Sequence, residues 1–387
     1  MLMSLQGECI FYFFNDKDKD KDKDKDKKKK TTHKIVTLDF FVRNELTNIN
    51  KIKKILDYKN YYYICENSSE LKISSLTDDI RHIKSSIKIK SDETVLMKFE
   101  DRGLIYLKNY LKTFGGSALT KGSSALTKGG SALTKGSSAL TKGSSALSSF
   151  TKYIFTIIDF YQHLLKSISL LVEQQIVHNH INFDSIVVDK YFVPLLSNFT
   201  FSIDTSNVPN IKHFFIAYDP SFLEWPLEIH LLSYLLTNKL NSLSSSNIEN
   251  IIHDVLKDHH ILKTFGDSVV SSYRVEALNY FKKYVNKSYE CILADCLQYS
   301  CTWDNYALSI MFLRILIGIH RSIDKKNKFI ILFMKLLVSN IHLNPLKRCS
   351  VVSTTTQFNH LLDSLEPKDY KEIIDGLNDG LNDGLND

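Results

Sequence analysis

Apolar residues recur at helical intervals in two long stretches of the chain. Between residues 39 and 57, Phe40, Phe41, Leu46, Ile49, Ile52, Ile55 and Leu56 fall three or four positions apart for the most part, which predicts an amphipathic helix. Residues 150–176 give the clearest case, with Phe155, Ile158, Tyr161, Leu165, Ile168, Leu171 and Val172 on one face. Short β-branched or apolar runs at 61–65, 71–73 and 94–99 predict strands, as do 185–188 and 191–196 on either side of a turn at Asp189. From residue 227 onward the pattern is largely helical. The expected class is α+β, a small mixed part followed by a larger helical one.

Three tracts lack this patterning. Residues 16–30 read DKDKDKDKDKDKKKK, residues 115–149 repeat GSSALTK or GGSALTK, and the chain closes on DGLNDGLNDGLND. A seven-residue period invites a coiled-coil reading, but glycine in each unit costs helix about 1 kcal/mol relative to alanine. A flexible linker is the expectation there. The chain then divides into an N-terminal segment (1–15), the Asp/Lys run (16–30), a small part with its connection (31–114), the repeat linker (115–149), a helical part (150–366) and an acidic repeat tail (367–387). Repeats this regular arise by replication slippage and need no function.

Composition changes this picture little. The 387 residues are 43% hydrophobic and 24% charged, with a net charge of +6, an ordinary globular balance. The lysines near the start alternate with aspartates, so a solvated segment is expected rather than a nucleic-acid surface. Lys27–Lys30 could touch phosphate or serve as a localisation signal. Six cysteines do not make a disulfide framework in a chain this long. Cys291, Cys296 and Cys301 recur every five residues, a spacing that does not match paired zinc ligands, so buried or half-buried helical thiols in a reducing compartment are expected. No secretory signal is evident, and the run ALSIMFLRILIGI is interrupted by Arg314. The expectation is a soluble, cytoplasmic protein with no membrane association, or a virion component if the source is viral.

The stretch IVHNHINFDSIVVDKYFVPLLSNFT, residues 176–200, carries a resemblance. It is similar to the protein kinase superfamily, whose catalytic loop reads H-R-D-L-x-x-x-N and whose metal-binding motif is D-F-G. HNHINFDS overlies the first motif: His178 keeps the histidine, Asn179 stands for the arginine, and His180 for the catalytic aspartate. Asn182 falls where a lysine contacts phosphate, and Ser185 replaces the metal-binding asparagine. NFT overlies the second, with Asn198 for Asp, Phe199 retained and Thr200 for Gly. VLMKFEDRGLIYLKNYL resembles the strand, hinge and helix joining two lobes, which implies a hinge at Met97, Phe99 and Asp101. Glu45 falls at the ion-paired glutamate of the first helix. DNYALSIMFL resembles the helix that opens with a buried aspartate, here Asp304. NPLKRCS resembles the segment whose arginine, here Arg348, pairs with the glutamate of A-P-E. That glutamate is Glu228 of WPLE or Glu290 of SYE. The Asn-, Ile- and Lys-rich composition also resembles kinase-like proteins of large DNA viruses.

The resemblance implies a two-lobed kinase-like fold with a small, degenerate N-terminal lobe and a mainly helical C-terminal lobe. Its chemistry is another matter. Phosphoryl transfer needs a carboxylate to take the hydroxyl proton and hard oxygen ligands for magnesium. His180 lacks the negative charge, Asn198 offers a neutral carbonyl, and Ser185 is short. No G-x-G-x-x-G loop precedes the first helix. The V-A-I-K lysine would fall in the Asp/Lys run, where Lys30 or Lys34 is the substitute and no strand reads clearly, leaving Glu45 a surface carboxylate. His178, Phe199, Asp304 and Arg348 read as scaffold, and Asp184 is the rescue candidate for a base. The apolar residues of IAYDPSFLEWPLEIHLL cover a docking surface or pack the core. The expected function is a pseudokinase that binds a protein partner without a cofactor. The alternatives are a divergent serine/threonine kinase or ATP-binding protein using ATP and Mg²⁺, and a structural, virion-type protein.

Overall fold

The computed structural model describes residues 10–12, 31–72, 93–114, 144–207, 211–320 and 328–364. The Asp/Lys run at 16–30, residues 115–143 of the repeat and the tail at 367–387 lie outside the described residues. The architecture is mixed α+β, with small sheets and a helical majority.

The first sheet comprises β1 (Ile10–Tyr12), β2 (Thr31–Thr37), β4 (Asn67–Lys72) and β5 (Glu93–Glu100), antiparallel in the order β1-β2-β5-β4. The strand β2 was not expected next to a charged run. Its register against β5 sets Lys34 opposite Met97 and Val36 opposite Val95, so one face of TTHKIVT joins the core. Between β2 and β4 the chain forms α1 (Phe40–Ile52) and β3 (Tyr62–Tyr63). Asp39 caps α1 by accepting the Val42 N–H at 2.9 Å, and Val42, Ile49 and Ile52 pack into the common core. The helix stops earlier than its pattern suggested. Asp57 takes a left-handed conformation (φ 55°) just beyond it, and Leu56 is left 85% exposed.

Next come β6 (Ile105–Tyr106) and α2 (Leu107–Phe114), then α3 (Ser144–Glu173). The start of α3 lies inside the expected linker, immediately after Gly143, where SSALSS continues without another glycine. Four short strands follow: β7 (Ile176–Val177), β8 (Ile186–Val188), β9 (Pro194–Ser197) and β10 (Ile203–Asp204). A second sheet has the order β3-β9-β8-β6, with β3 parallel to β9, and β7 pairs with β10. Because β3 belongs to this second sheet, the chain around residue 62 is joined to both parts. The Tyr62 hydroxyl reinforces the join by donating to the Ser167 carbonyl of α3 at 2.7 Å.

The remaining helices are α4 (Leu227–Thr237), α5 (Ser245–Lys257), α6 (His260–Thr264), α7 (Asp267–Phe281), α8 (Tyr289–Leu297), α9 (Trp303–His320), α10 (Lys328–Asn340) and α11 (Val351–Asp363). Apolar on nearly every side, α9 is buried as such a helix must be, with Met311, Phe312 and Leu313 inaccessible. Tyr161 of α3 is the centre of an aromatic cluster, 4.8–4.9 Å from the rings of Phe312, Phe333 and Phe358. Among the described residues no helix is long and apolar enough to cross a membrane. The segment 216–232 sends Leu223, Trp225, Leu227, Ile229, Leu231 and Leu232 into the core. Of the three evenly spaced cysteines, Cys291 and Cys296 share α8, where a five-residue step turns one thiol out and the other in, and Cys301 lies exposed in the turn at 300–302 beyond that helix.

Candidate functional site

The loop between β7 and β8 is held from below. Asp304, in the first turn of α9, accepts the backbone N–H of His178 at 2.6 Å and that of Asn179 at 2.9 Å, one on each carboxylate oxygen. Burial pushes the Asp304 carboxyl up to about 7, against the pull of those two amides toward the ionised form. His178 lies under the loop against Phe199, with ring centroids 4.8 Å apart. One ring nitrogen, Nε2, meets the Ser197 carbonyl at 2.9 Å, and Nδ1 accepts the His180 N–H at 3.3 Å. That pattern fits a neutral imidazole, and burial lowers its pKa to about 4.

His180 occupies the centre of the site, but other rings cover it. Its imidazole stacks on Phe222 at 5.2 Å and 10°, and Phe201 lies 5.1 Å away on a tilted plane. Trp225 holds the covering segment down by donating its indole N–H to the Asn179 carbonyl at 2.8 Å. Loss of solvent, with His178 close by, lowers the His180 pKa to about 3. A base this feeble contributes little to proton abstraction near neutrality.

The rest of the loop satisfies itself. Asn182 Oδ1 accepts the N–H groups of Asp184 and Ser185 at 2.8 and 3.1 Å. The Ser185 hydroxyl accepts the Asn182 N–H at 2.9 Å and donates to the Asn182 carbonyl at 3.0 Å. Ser185 therefore serves the turn rather than an external ligand. The Asp184 carboxylate is exposed and lies 3.8 Å from Lys108 of α2. Asp189 spends one oxygen on the amides of Tyr191 and Val193.

After β9, Asn198 adopts a left-handed conformation (φ 62°) that asparagine tolerates. Its Oδ1 lies 2.9 Å from the Thr200 hydroxyl, which also lies 3.0 Å from Glu45 Oε2. Thr200 has one hydrogen to share between the two. The expectation for Glu45 is corrected here: it is buried rather than at the surface, because α1 packs against residues 199–202. Asn44 and Asn48 fix that contact, both donating to the Ser202 carbonyl, at 2.8 and 3.1 Å. Among the described residues no lysine or arginine forms an ion pair with Glu45. Asn198, Thr200 and Glu45 are the oxygen donors this corner could offer a cation, and the Thr200 hydroxyl lies between the other two. Among the described residues no group of three His, Cys, Asp or Glu side chains is arranged as a metal site.

Met97 and Phe99, expected in a connection, are buried within β5, and an irregular connection runs from Asp101 to Leu104, where Asp101 accepts the Gly103 N–H at 3.0 Å. Beneath the site, Arg348 pairs with Glu228. Its Nη2 meets Oε2 at 2.9 Å and its Nη1 bonds Oε1, while Trp303 Nε1 donates to Oε1 at 3.2 Å. Glu290 pairs instead with Lys212 on the surface.

His178, His180, Asn182, Ser185, Asn198, Phe199, Thr200 and Glu45 thus converge on one region. The sequence reading missed Phe201, Phe222 and Trp225, which close it, and Asn44 and Asn48, which dock α1. Only the asparagines carried a local signal, two amides one helical turn apart on α1. No protein-family model matches the chain, and no curated protein matches it.

Proposed function

We propose that the chain has a degenerate protein kinase-like fold, two-lobed in its arrangement, whose phosphotransfer site has become structural packing, and that it acts by binding a protein partner. The order of elements supports the kinase-like reading: a small antiparallel sheet interrupted by α1, a connection at 101–104, then helices around a short-stranded loop region. Support also comes from the three ties under the loop, Asp304 to the amides of His178 and Asn179, His178 to Ser197, and Glu228 to Arg348.

One observation carries the loss of chemistry. Where a kinase requires an anionic base facing its substrate, this chain places a neutral imidazole stacked on Phe222. A ring in that position carries no negative charge to balance magnesium, and its lowered basicity suits it poorly to take a hydroxyl proton. A nucleotide-binding reading is kept for one reason: Glu45 is buried with a lone hydroxyl partner, and Lys34 lies on the core-facing side of β2.

The test is a thermal-shift titration of the full chain with ATP and ADP, each with and without Mg²⁺. A ligand at 100 times its dissociation constant stabilises a fold by about 2.7 kcal/mol, which moves the melting temperature clearly. The expected result is no shift at millimolar nucleotide. A magnesium-dependent shift would overturn the reading and direct attention to Glu45 and Lys34.

A further inference from the structure

The short helix α6 is capped by a buried histidine. His259 stands just before it, 2% exposed, and its Nδ1 accepts the Leu262 N–H at 3.3 Å. A ring nitrogen that accepts carries no proton, so the hydrogen of the neutral imidazole is on Nε2. That atom is buried with no hydrogen-bond partner.

Capping by imidazole differs from capping by serine or asparagine in one respect. Those side chains keep their acceptor at any ordinary pH, whereas a second proton on His259 sets a donor against the Leu262 N–H. The helix has five residues and cannot stand on its own hydrogen bonds. Its other hold is tertiary: it packs on α7 and α9, with Ile261 and Leu262 inside the core.

The surroundings oppose a charged ring as well. Loss of solvent comes first, followed by His260, the exposed next residue, then Arg314 of α9 and His230 of α4. Arg314 is paired with Glu224 at 2.6 Å, so that carboxylate is already engaged. Both ring nitrogens of His230 lack a well-formed bond. Of the remaining charged groups on the packed elements, Glu228 is bound to Arg348 and Asp304 to the loop amides. Lys257, Asp258 and Lys263, and Asp267, Arg274 and Glu276 of α7, are exposed to solvent.

We propose that His259 is an acid-sensitive latch: on mild acidification α6 releases from α9 while the rest of the helical part stays folded, uncovering Ile261 and Leu262. The inference is independent of the kinase-like reading.

The experiment is hydrogen exchange of the full chain at pH 7 and pH 5, read by mass spectrometry as protection relative to an unstructured peptide at the same pH. With a histidine that titrates near 6.5 when released and near 3 when latched, protection in peptides spanning 259–266 should fall about 25-fold between the two. At pH 7 these peptides should already be less protected than those of α9, the mark of local rather than global opening. His259→Asn keeps a capping acceptor without a titrating ring, and the fall should vanish from 259–266 while α9 behaves as in the wild type. His260→Gln, at an exposed position, should leave most of the fall in place. Equal protection of α6 and α9 in the wild type at both pH values would overturn the proposal, since α6 would then open only with the whole molecule. So would a fall that survives His259→Asn or disappears with His260→Gln.

Discussion

Asp304 has no contact with solvent to speak of, and both of its oxygens are engaged by loop amides. Replacement by alanine strands two buried N–H groups, each costing about 1–3 kcal/mol, so urea unfolding of Asp304→Ala should show a loss of about 2–6 kcal/mol if the variant folds. The pH dependence has a definite sign. The carboxyl is raised from 3.8 to about 7 on folding, so the unfolded chain releases this proton first. Asp304 therefore lowers stability progressively as pH rises from about 4 to 7, by at most about 1.4 kcal/mol per unit. Comparing urea midpoints at pH 5 and 8 in wild type and Asp304→Asn should reveal that contribution as a difference in slope. Asp304 and Arg348 were singled out by the resemblance of DNYALSIMFL and NPLKRCS to kinase segments, not by any local pattern. Glu45 could not be placed. Its partner Thr200 is 155 residues away, and no rule of helical spacing reaches that far.

At the scale of elements, the Glu228–Arg348 pair joins the start of α4 to the turn preceding α11. Both side chains are almost wholly buried, and breaking such a pair leaves an uncompensated charge in the interior. Arg348→Met should cost about 3–5 kcal/mol in urea unfolding. The double variant with Glu228→Leu should recover a large part of that loss, whereas Glu290→Gln, on a fully exposed side chain, should leave the midpoint where it is. Asp39, Ser244, Ser288 and Ser350 each cap a helix, a start signal that the residue type itself carries. Helix ends and short strands carry weaker signals. The run 191–196 begins pairing only at Pro194, because the turn built on Asp189 uses the residues before it. The strand β2 was hidden by its neighbours in sequence: THKIVT is short and adjoins a charged tract, and what makes it a strand is the partner β5, some sixty residues later.

For the whole molecule, acid is the expected weakness. His178, His230 and His259 are buried, and desolvation lowers their pKa values to about 4, 4 and 3. The unfolded chain binds protons at these histidines first as pH falls below about 6.5. Stability present above that pH is therefore lost as pH drops toward 4, at up to about 1.4 kcal/mol per unit for each group. Three such groups outweigh the opposite trend of Asp304, so the urea midpoint should fall steadily from pH 7 to pH 5. His230→Phe should flatten the slope. Its imidazole nitrogens have no well-formed hydrogen bond, so the substitution removes little else.

The way α1 docks has a consequence for how the chain is made. Asn48 depends on Ser202, 154 residues downstream, for two hydrogen bonds. At a synthesis rate of about 5–20 residues per second, helix α1 leaves the ribosome roughly 8–30 s before its partner exists. During that interval its apolar face is uncovered on one of its two sides. Synthesis speed and chaperone capture over that interval, rather than the stability of the finished fold, should set the yield of native protein.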